Sequence, residues 1–338
     1  MITIKDIAKM AGVSDTTVSN VIHNRRNVSA KTVEKINRII QETHYIPNLN
    51  ARSLTAKSSP LIACVFSSRN MTVNSLYLSR LMTAIEEVLF SNGLYMIVKN
   101  IDGVDNISNL FEMWKIQGLI AIGSFSDSMI ENIENAKIPA VFIDALIEKE
   151  CEYIYSVNID DFNAAYNATE HLISLGHKKI ACVSHGISGS KINKSRYKGY
   201  RHALEVHGIQ FDSYRFYEIS SNYNTNDTNT VIEVGKEIAK SDITAVFAVS
   251  DMLAWDVILG IQSTTKSVPD DISVIGFDDM FICSRIVPAL SSVHNSSKTK
   301  GTVSAQLLVD ILNDKKVEHR TIIPTSVVLR NSTSSCKY

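Results

Sequence analysis

The sequence predicts an all-α helix-turn-helix headpiece joined to an α/β core of two parallel-sheet lobes. Three observations carry this. Residues 1–46 contain three short helical stretches, two of them separated by a glycine. From residue 60 on, short apolar runs rich in β-branched residues alternate with amphipathic helical stretches. Around Asp160 the same alternation starts again, which divides the core into two similar lobes.

In the headpiece, Thr3 with Asp6 three residues later is a helix-start pattern close to a capping box. Gly12 breaks this helix at a tight corner, and Ser14 caps the next. Val18, Val21 and Ile22 repeat at helical spacing, so the second helix buries one face. Ser29 caps a third helix, whose expected buried stripe is Val33, Ile36 and Ile40. Two short helices joined by a Gly-containing turn form the helix-turn-helix plan, in which the second helix enters the DNA major groove. The charge agrees. Up to residue 59 there are nine Lys/Arg and four Asp/Glu, a local +5 beside −1 for the whole chain, which leaves −6 for the rest. A basic end on an acidic body suits a phosphate-binding module attached to something that is not one. A solvated helical domain with a chance surplus of lysine is the competing reading, and it leaves the turn and caps unexplained.

The core strands are expected at Leu61–Phe66, Leu94–Val98, Gly118–Ile122, Ala140–Ile143, Ile180–Ser184, Phe216–Ile219, Ala245–Val249 and Ile272–Phe277. One helix carries Leu78, Leu81, Met82, Ile85, Val88 and Leu89 and stops at Asn92-Gly93. Another carries Ala164, Ala165, Ala168, Leu172 and Ile173 and stops at Gly176; a third runs from about Arg196 to His207 and stops at Gly208. Strands apolar throughout and separated by helices imply parallel sheets covered on both faces. Ligands of such folds bind at the carboxyl ends of the strands, and a cleft between two lobes collects those ends from both sides.

Several classes are disfavoured. Cys64, Cys151, Cys182, Cys283 and Cys336 are scattered and odd in number, and read as reduced apolar residues of a cytoplasmic protein. No pair of them has metal-site spacing, and His171 with His177 flank a helix end, so no metal or cofactor is expected. No basic stretch followed by an apolar run opens the chain, and no uncharged run reaches the ~18 residues of a membrane span. His185-Gly186-Ile187-Ser188-Gly189 lacks the dinucleotide and P-loop fingerprints, and no nucleophile elbow is visible. The chain is therefore not read as an enzyme. A cytosolic small-molecule-binding protein, or an α/β enzyme, with a helical extension that does not bind DNA is the alternative.

Further motifs stand in order along the chain. They are Ile7-Ala8, Ala11-Gly12-Val13-Ser14, Thr17-Val18-Ser19, Val28-Ser29, Tyr45-Ile46-Pro47-Asn48 and Ala51-Arg52-Ser53-Leu54. The core adds Gly176-His177, Arg196-Tyr197-Lys198-Gly199-Tyr200 and the run from Val268-Pro269-Asp270-Asp271 to Gly276-Phe277-Asp278-Asp279. Together they resemble the lactose/galactose repressor family of bacterial transcription regulators over essentially the whole length. The resemblance implies a headpiece (1–46), a hinge helix (47–58) and a periplasmic-binding-protein-like core (59–338). It implies lobe one at about 60–158 and 290–321 and lobe two at about 160–288 and 323–335. The chain would cross between lobes near Ile159, Ala289 and Ile322 and leave Val327–Leu329 as a strand of the second lobe. Expected partners are double-stranded DNA with a near-palindromic operator, a small-molecule effector, and a second copy in a homodimer or, in some members, a tetramer.

On this reading Thr16, Thr17 and Asn20 face base edges, and Asn20 pairs with adenine. Asp15 either interacts with the helix dipole or accepts from cytosine. Ser19, His23, Asn24, Arg25 and Arg26 are expected on phosphates. Asn48 to Ala56 follows Pro47 and forms a hinge helix too short to be stable alone. It contributes Asn50, Ala51 and Leu54, and Leu54 matches the leucine that the family wedges into the minor groove. For the effector, the resemblance implies Arg196 and Asp278, with Tyr223, Tyr77 and Ser250 as further contacts. Ile192 stands where relatives often have Ser or Thr, and Ser250 replaces a usual Asn. These departures leave the ligand class open: a carbohydrate or its phosphate is the default reading, with a nucleobase or a phosphorylated carrier protein as alternatives.

Overall fold

The computed structural model describes residues 2–22, 28–43, 45, 59–66, 76–101, 111, 113–149, 151–219 and 228–337. The chain divides into two compact units, Met1–Ser59 and Pro60–Tyr338. The expected hinge helix lies outside the described residues.

In the first unit, α1 (Ile4–Ala11) starts at a complete capping box. Thr3 accepts the Asp6 N–H, and Asp6 Oδ2 accepts the Thr3 N–H at 2.9 Å. Gly12 ends the helix at φ 68°, a left-handed conformation that a side chain disfavours. Helix α2 (Asp15–Ile22) begins where Ser14 Oγ accepts the Thr17 N–H at 3.1 Å. Helix α3 (Ala30–Thr43) begins where Ser29 Oγ accepts the Thr32 N–H at 3.3 Å. Ile7, Ala8, Ala11, Val18, Val21, Ile36 and Ile39 form the core. Ile39 is buried where Ile40 was expected, because the stripe of α3 centres between Ile36 and Ile39; Val33 and Ile40 flank it, half-buried.

The second unit opens with β1 (Leu61–Phe66), α4 (Leu76–Ser91), β2 (Tyr95–Asn100), β3 (Gly118–Ile122), α5 (Asp127–Asn135), β4 (Ala140–Ile143) and β5 (Ile154–Ile159). It continues with α6 (Asp161–Ser174), β6 (Ile180–His185), α7 (Lys191–Val206), β7 (Phe216–Ile219), α8 (Thr228–Lys240), β8 (Ala245–Ala248), α9 (Asp251–Gln262) and β9 (Ser273–Asp278). The last elements are β10 (Ser291–His294), α10 (Ser297–Leu312), β11 (Arg320–Ile323) and β12 (Ser326–Val328). Two six-stranded sheets result, ordered β11-β5-β4-β3-β1-β2 and β12-β10-β9-β8-β6-β7. Among the described residues every pairing is parallel except β10 with β12. Among the described residues, no helix is long and apolar enough to cross a membrane.

Chain crossings between the sheets follow β5, β10 and β11. The middle one is later than expected at Ala289. Ser291–His294 still pairs with β9, and the chain leaves at Asn295-Ser296 to place α10 against β3, β4 and β5. Strands β5, β10 and β11 were not anticipated as strands. Ser156 and Asn158 interrupt β5, β10 has Val293 as its one large apolar residue, and β11 opens on Arg320-Thr321. Helix α7 starts five residues before Arg196, capped by Ser190, whose hydroxyl accepts the Asn193 N–H at 3.2 Å.

Gly199 sets the contact of α6 with α7. A Cβ there would lie 2.2 Å from the Phe162 carbonyl oxygen and 3.0 Å from the Tyr166 nitrogen. One residue on, Tyr200 is 1% exposed and its hydroxyl donates to the Ile180 carbonyl at 2.9 Å. We expect Gly199→Ala to lower core stability by about 2–3 kcal/mol, because backbone must shift to admit a methyl group. Gly189→Ala, which meets nothing within 4 Å, should stay within about 0.5 kcal/mol of the parent. Urea midpoints of the core transition measure both.

Candidate functional site

In the headpiece, α2 buries Val18 and Val21 and exposes Asp15 and Thr16; Thr17, Ser19 and Asn20 are half-buried. The Thr17 hydroxyl lies 2.9 Å from that of Ser14, so it takes part in the cap. Asp15 is the acidic residue of the first turn, the favourable place for a carboxylate along a helix dipole. His23, Asn24, Arg25, Arg26, Asn50, Ala51 and Leu54 lie outside the described residues, as does Tyr223.

In the core, the carboxyl ends of the strands bring an ionic cluster together between the two lobes. Arg196 of α7 is 7% exposed. Its Nε donates to Asp161 Oδ1 at 2.7 Å, and its Nη1 donates to the Val249 carbonyl at 2.7 Å and lies 3.7 Å from Asp278 Oδ1. The guanidinium carbon stands 3.6 Å from the centre of the Phe277 ring. Asp278 is held a second time by Asn295 Nδ2, which donates at 3.1 Å. These groups belong to lobe two and to the crossing after β10.

Lobe one answers with Tyr77, Asp144 and Lys300. Lys300 of α10 is fully buried and donates to Asp144, which also accepts the Tyr77 hydroxyl. Lys300 Nζ lies 3.3 Å from the Tyr77 oxygen. An open cavity of about 480 Å³ is lined by Tyr77, Arg80, Asp278, Phe281, His294 and Asn295. That volume suits a small molecule.

Burial raises the carboxyls of Asp161 and Asp278 above their ordinary value, and Arg196 pulls both back. For Arg196, burial disfavours its charge, but Asp161 and Asp278 outweigh that and leave it raised. Burial, then Asp144, pushes Tyr77 well up, so its hydroxyl stays a donor. His185, at the end of β6, is lowered to about 4 by burial and by Arg196, so it is neutral at pH 7.

Tyr77, Arg196 and Asp278 therefore meet in one site. Ser250 behaves as a helix cap, its hydroxyl accepting the Leu253 N–H at 3.4 Å. Sequence reasoning overlooked Asp144, Asp161, Asn295 and Lys300. Asp144 had a legible signal, an acidic residue just past an apolar strand end; Asp161 did not, because β5 before it is interrupted by Ser156 and Asn158. Lys300 shares a helix face with Ser304 and Leu308, all buried, and a lysine in a buried stripe is a functional flag.

Comparison with known proteins bears on what this arrangement is for. A family model described as bacterial regulatory proteins, lacI family, matches residues 3–48, and one for a periplasmic binding protein-like domain matches residues 169–333. The HTH-type transcriptional regulator DegA of Bacillus subtilis is 33% identical over 341 residues, covering 98% of each chain. The chain belongs to the LacI family of bacterial regulators. The HTH-type transcriptional repressor PurR of Vibrio atlanticus is 30% identical, covering 98% of each chain. The crystal structure of a Lac repressor dimer bound to operator and the anti-inducer ONPF superposes with a TM-score of 0.85 at 26% identity. It covers 98% of this chain and 99% of that one. This LacI-family chain is a DNA-binding transcription regulator, not an enzyme.

Removing one partner of a buried ion pair leaves the other charge uncompensated. We expect Lys300→Met to destabilise the core by about 3–5 kcal/mol at pH 7 through the stranded Asp144, by analogy with other broken buried pairs. Adding Asp144→Asn should restore most of the loss, and urea unfolding of single and double variants checks it.

Proposed function

We propose that the chain is a cytoplasmic repressor that binds a near-palindromic operator as a homodimer and responds to a small hydroxyl-rich molecule between its lobes. The observation that carries the effector half is the balance of the ionic cluster. In the buried cluster Asp144, Asp161 and Asp278 face two cations, Arg196 and Lys300, and the cavity lining adds Glu87 and Asp279 beside Arg80 and Lys298, so carboxylates still outnumber cations. Asn295, 3% exposed, adds an amide oxygen with no hydrogen-bond partner. The site is rich in acceptors that need donors, which sugar hydroxyls supply and a carboxylate does not. Carbohydrates and their neutral derivatives therefore fit better than phosphates or sugar acids.

The effector acts only if it binds one lobe arrangement better than another. Contacts from both lobes to one ligand provide such a difference. Asp278 belongs to lobe two and Asn295 to the second crossing, with Tyr77 and Lys300 of lobe one across from them.

For DNA, Thr16, Thr17 and Asn20 read bases, with Asp15 at the helix start and Ser19, His23, Asn24, Arg25 and Arg26 on phosphates. The hinge, through Asn50, Ala51 and Leu54, enters the minor groove. Selection of sites from a random duplex library at fixed salt tests this. The expected product is a near-palindrome with a flexible central step and an adenine in each half-site. Asn20→Ala should relax that adenine by about 1–3 kcal/mol of discrimination. Leu54→Ala should weaken specific binding far more than non-specific binding. Equal losses on both, or an unstructured selection, would sink the reading.

A further inference from the structure

Asp251 opens α9 and is fully buried. Its Oδ2 accepts the Met280 N–H at 2.7 Å, and its Oδ1 accepts the Ser292 hydroxyl at 2.6 Å. Ser292 Oγ in turn accepts the Asp279 N–H at 3.0 Å. Two successive backbone N–H groups after β9 thus end on one carboxylate, one directly and one through a hydroxyl. The corner they belong to has an unusual backbone. Asp278 has φ 107° and Asp279 φ 48°, both in the region that disfavours a side chain. Such a residue persists only where its surroundings enforce it. Consecutive N–H groups at a corner form a concavity that holds an anion. Gly276 leaves room for that anion, since a Cβ there would lie 2.4 Å from Asp251 Oδ1.

We propose that Asp251 is a positioning residue of the effector site: it anchors the corner after β9 and so places the Asp278 carboxylate against Arg196, Asn295 and the bound effector. The proposal rests on the effector reading above. Both donors point at Asp251, so both of its oxygens must accept, and only the ionised carboxylate does so. A protonated acid or an amide turns one donor against another and loses half of the anchor. Burial, then the Asp278 charge, raises Asp251 to about 7. The anchor is therefore complete above neutral pH and weakens below it.

Other charged groups surround the corner. Asp278 arrives from β9, and the Cys283 thiol, pushed up by burial, is a further donor to the Asp251 carboxylate from the next turn. Arg196 approaches Asp278 at 3.7 Å. Arg330 and His294 hold the Asp279 side chain at 2.6 and 2.8 Å. His294 thus serves as the control, because it contacts the Asp279 carboxylate and not the two N–H groups.

Residue-resolved hydrogen exchange of the full-length protein, without ligand, from pH 6 to pH 8, tests the anchor. Each rate is divided by the rate of the unstructured chain. Protection of the Asp279 and Met280 amides should be about tenfold lower at pH 6 than at pH 8, the change in ionised fraction expected of a group near 7. Asp251→Asn should abolish the profile and His294→Gln should keep it. Should Asp251→Asn not fold, Ser292→Ala should expose Asp279 and leave Met280 protected. Flat protection in the parent, or an unchanged profile in Asp251→Asn, overturns the proposal.

A second arm measures thermal shifts and affinities with D-ribose, D-glucose, D-galactose and D-mannose at pH 8. A sugar that binds the parent should lose more than tenfold affinity with Asp278→Asn and about tenfold with Asp251→Asn. Loss with Asp278→Asn alone overturns the positioning role and leaves the effector reading intact. A pH-dependent anchor with no response to any of the sugars would instead count against the hydroxyl-rich effector.

Discussion

The burial of the Arg196 guanidinium is the constraint around which the core is arranged. An uncompensated cation in that position would be severely unfavourable. Compensation comes from three separate elements: Asp161 at the start of α6, the Val249 carbonyl past β8, and Asp278 at the end of β9, with Phe277 beneath the plane. Each must reach within about 4 Å of one planar group, which couples the packing of α6 against α7 to the ends of two strands. Gly199 permits that packing, so the Arg-x-x-Gly-aromatic pattern is one device: a charge, the absence of a side chain that lets its helix approach, and a tyrosine that ties the helix to β6.

Much of this was legible in the sequence, and the parts that were not share a cause. Headpiece caps at Thr3, Ser14 and Ser29, the glycine corner and the all-apolar strands carry local signals, and each is a short-range effect. Strands β10 and β11 carry none, because Ser-Ser-Val-His and Arg-Thr-Ile-Ile become strands only through neighbours far away in the chain. The same holds for the site. Arg196 and Asp278 sit in recognisable motifs. Lys300 is separated from Asp144 by 156 positions, and no local pattern announces that they pair. The misplaced crossing at Ala289 follows too, since its position depends on β10 being a strand of the second sheet.

Part of the backbone strain falls where polar chemistry is. Of the six described non-glycine residues at positive φ, Asp144, Asp278 and Asp279 lie in the cleft or at its corner, while Lys115, Lys137 and Asp314 lie elsewhere. Aspartate tolerates this conformation better than most residues, and placing it directly after a strand turns its carboxylate out of the sheet. The energetic burden falls on surrounding groups, among them Asp251, Ser292 and Arg330, which have no need to touch a ligand. Conservative changes at such positions would alter recognition without altering any residue that faces the cavity.

The route of the chain has a consequence for synthesis. Lobe one gains its outer strand β11 and its covering helix α10 only from residues 297–323, after nearly all of lobe two has left the ribosome. Until then the apolar faces of β3, β4 and β5 lack the helix that shields them. A chain made from its N-terminus cannot finish the first lobe until nearly all of the second is made, so ribosome-bound intermediates carry an exposed, unfinished sheet through most of translation. Quality-control factors that recognise apolar surface have a long interval in which to act on lobe one and a short one for lobe two. Truncation before Arg320 should leave both lobes incomplete at once, since it removes β11 from one and β12 from the other.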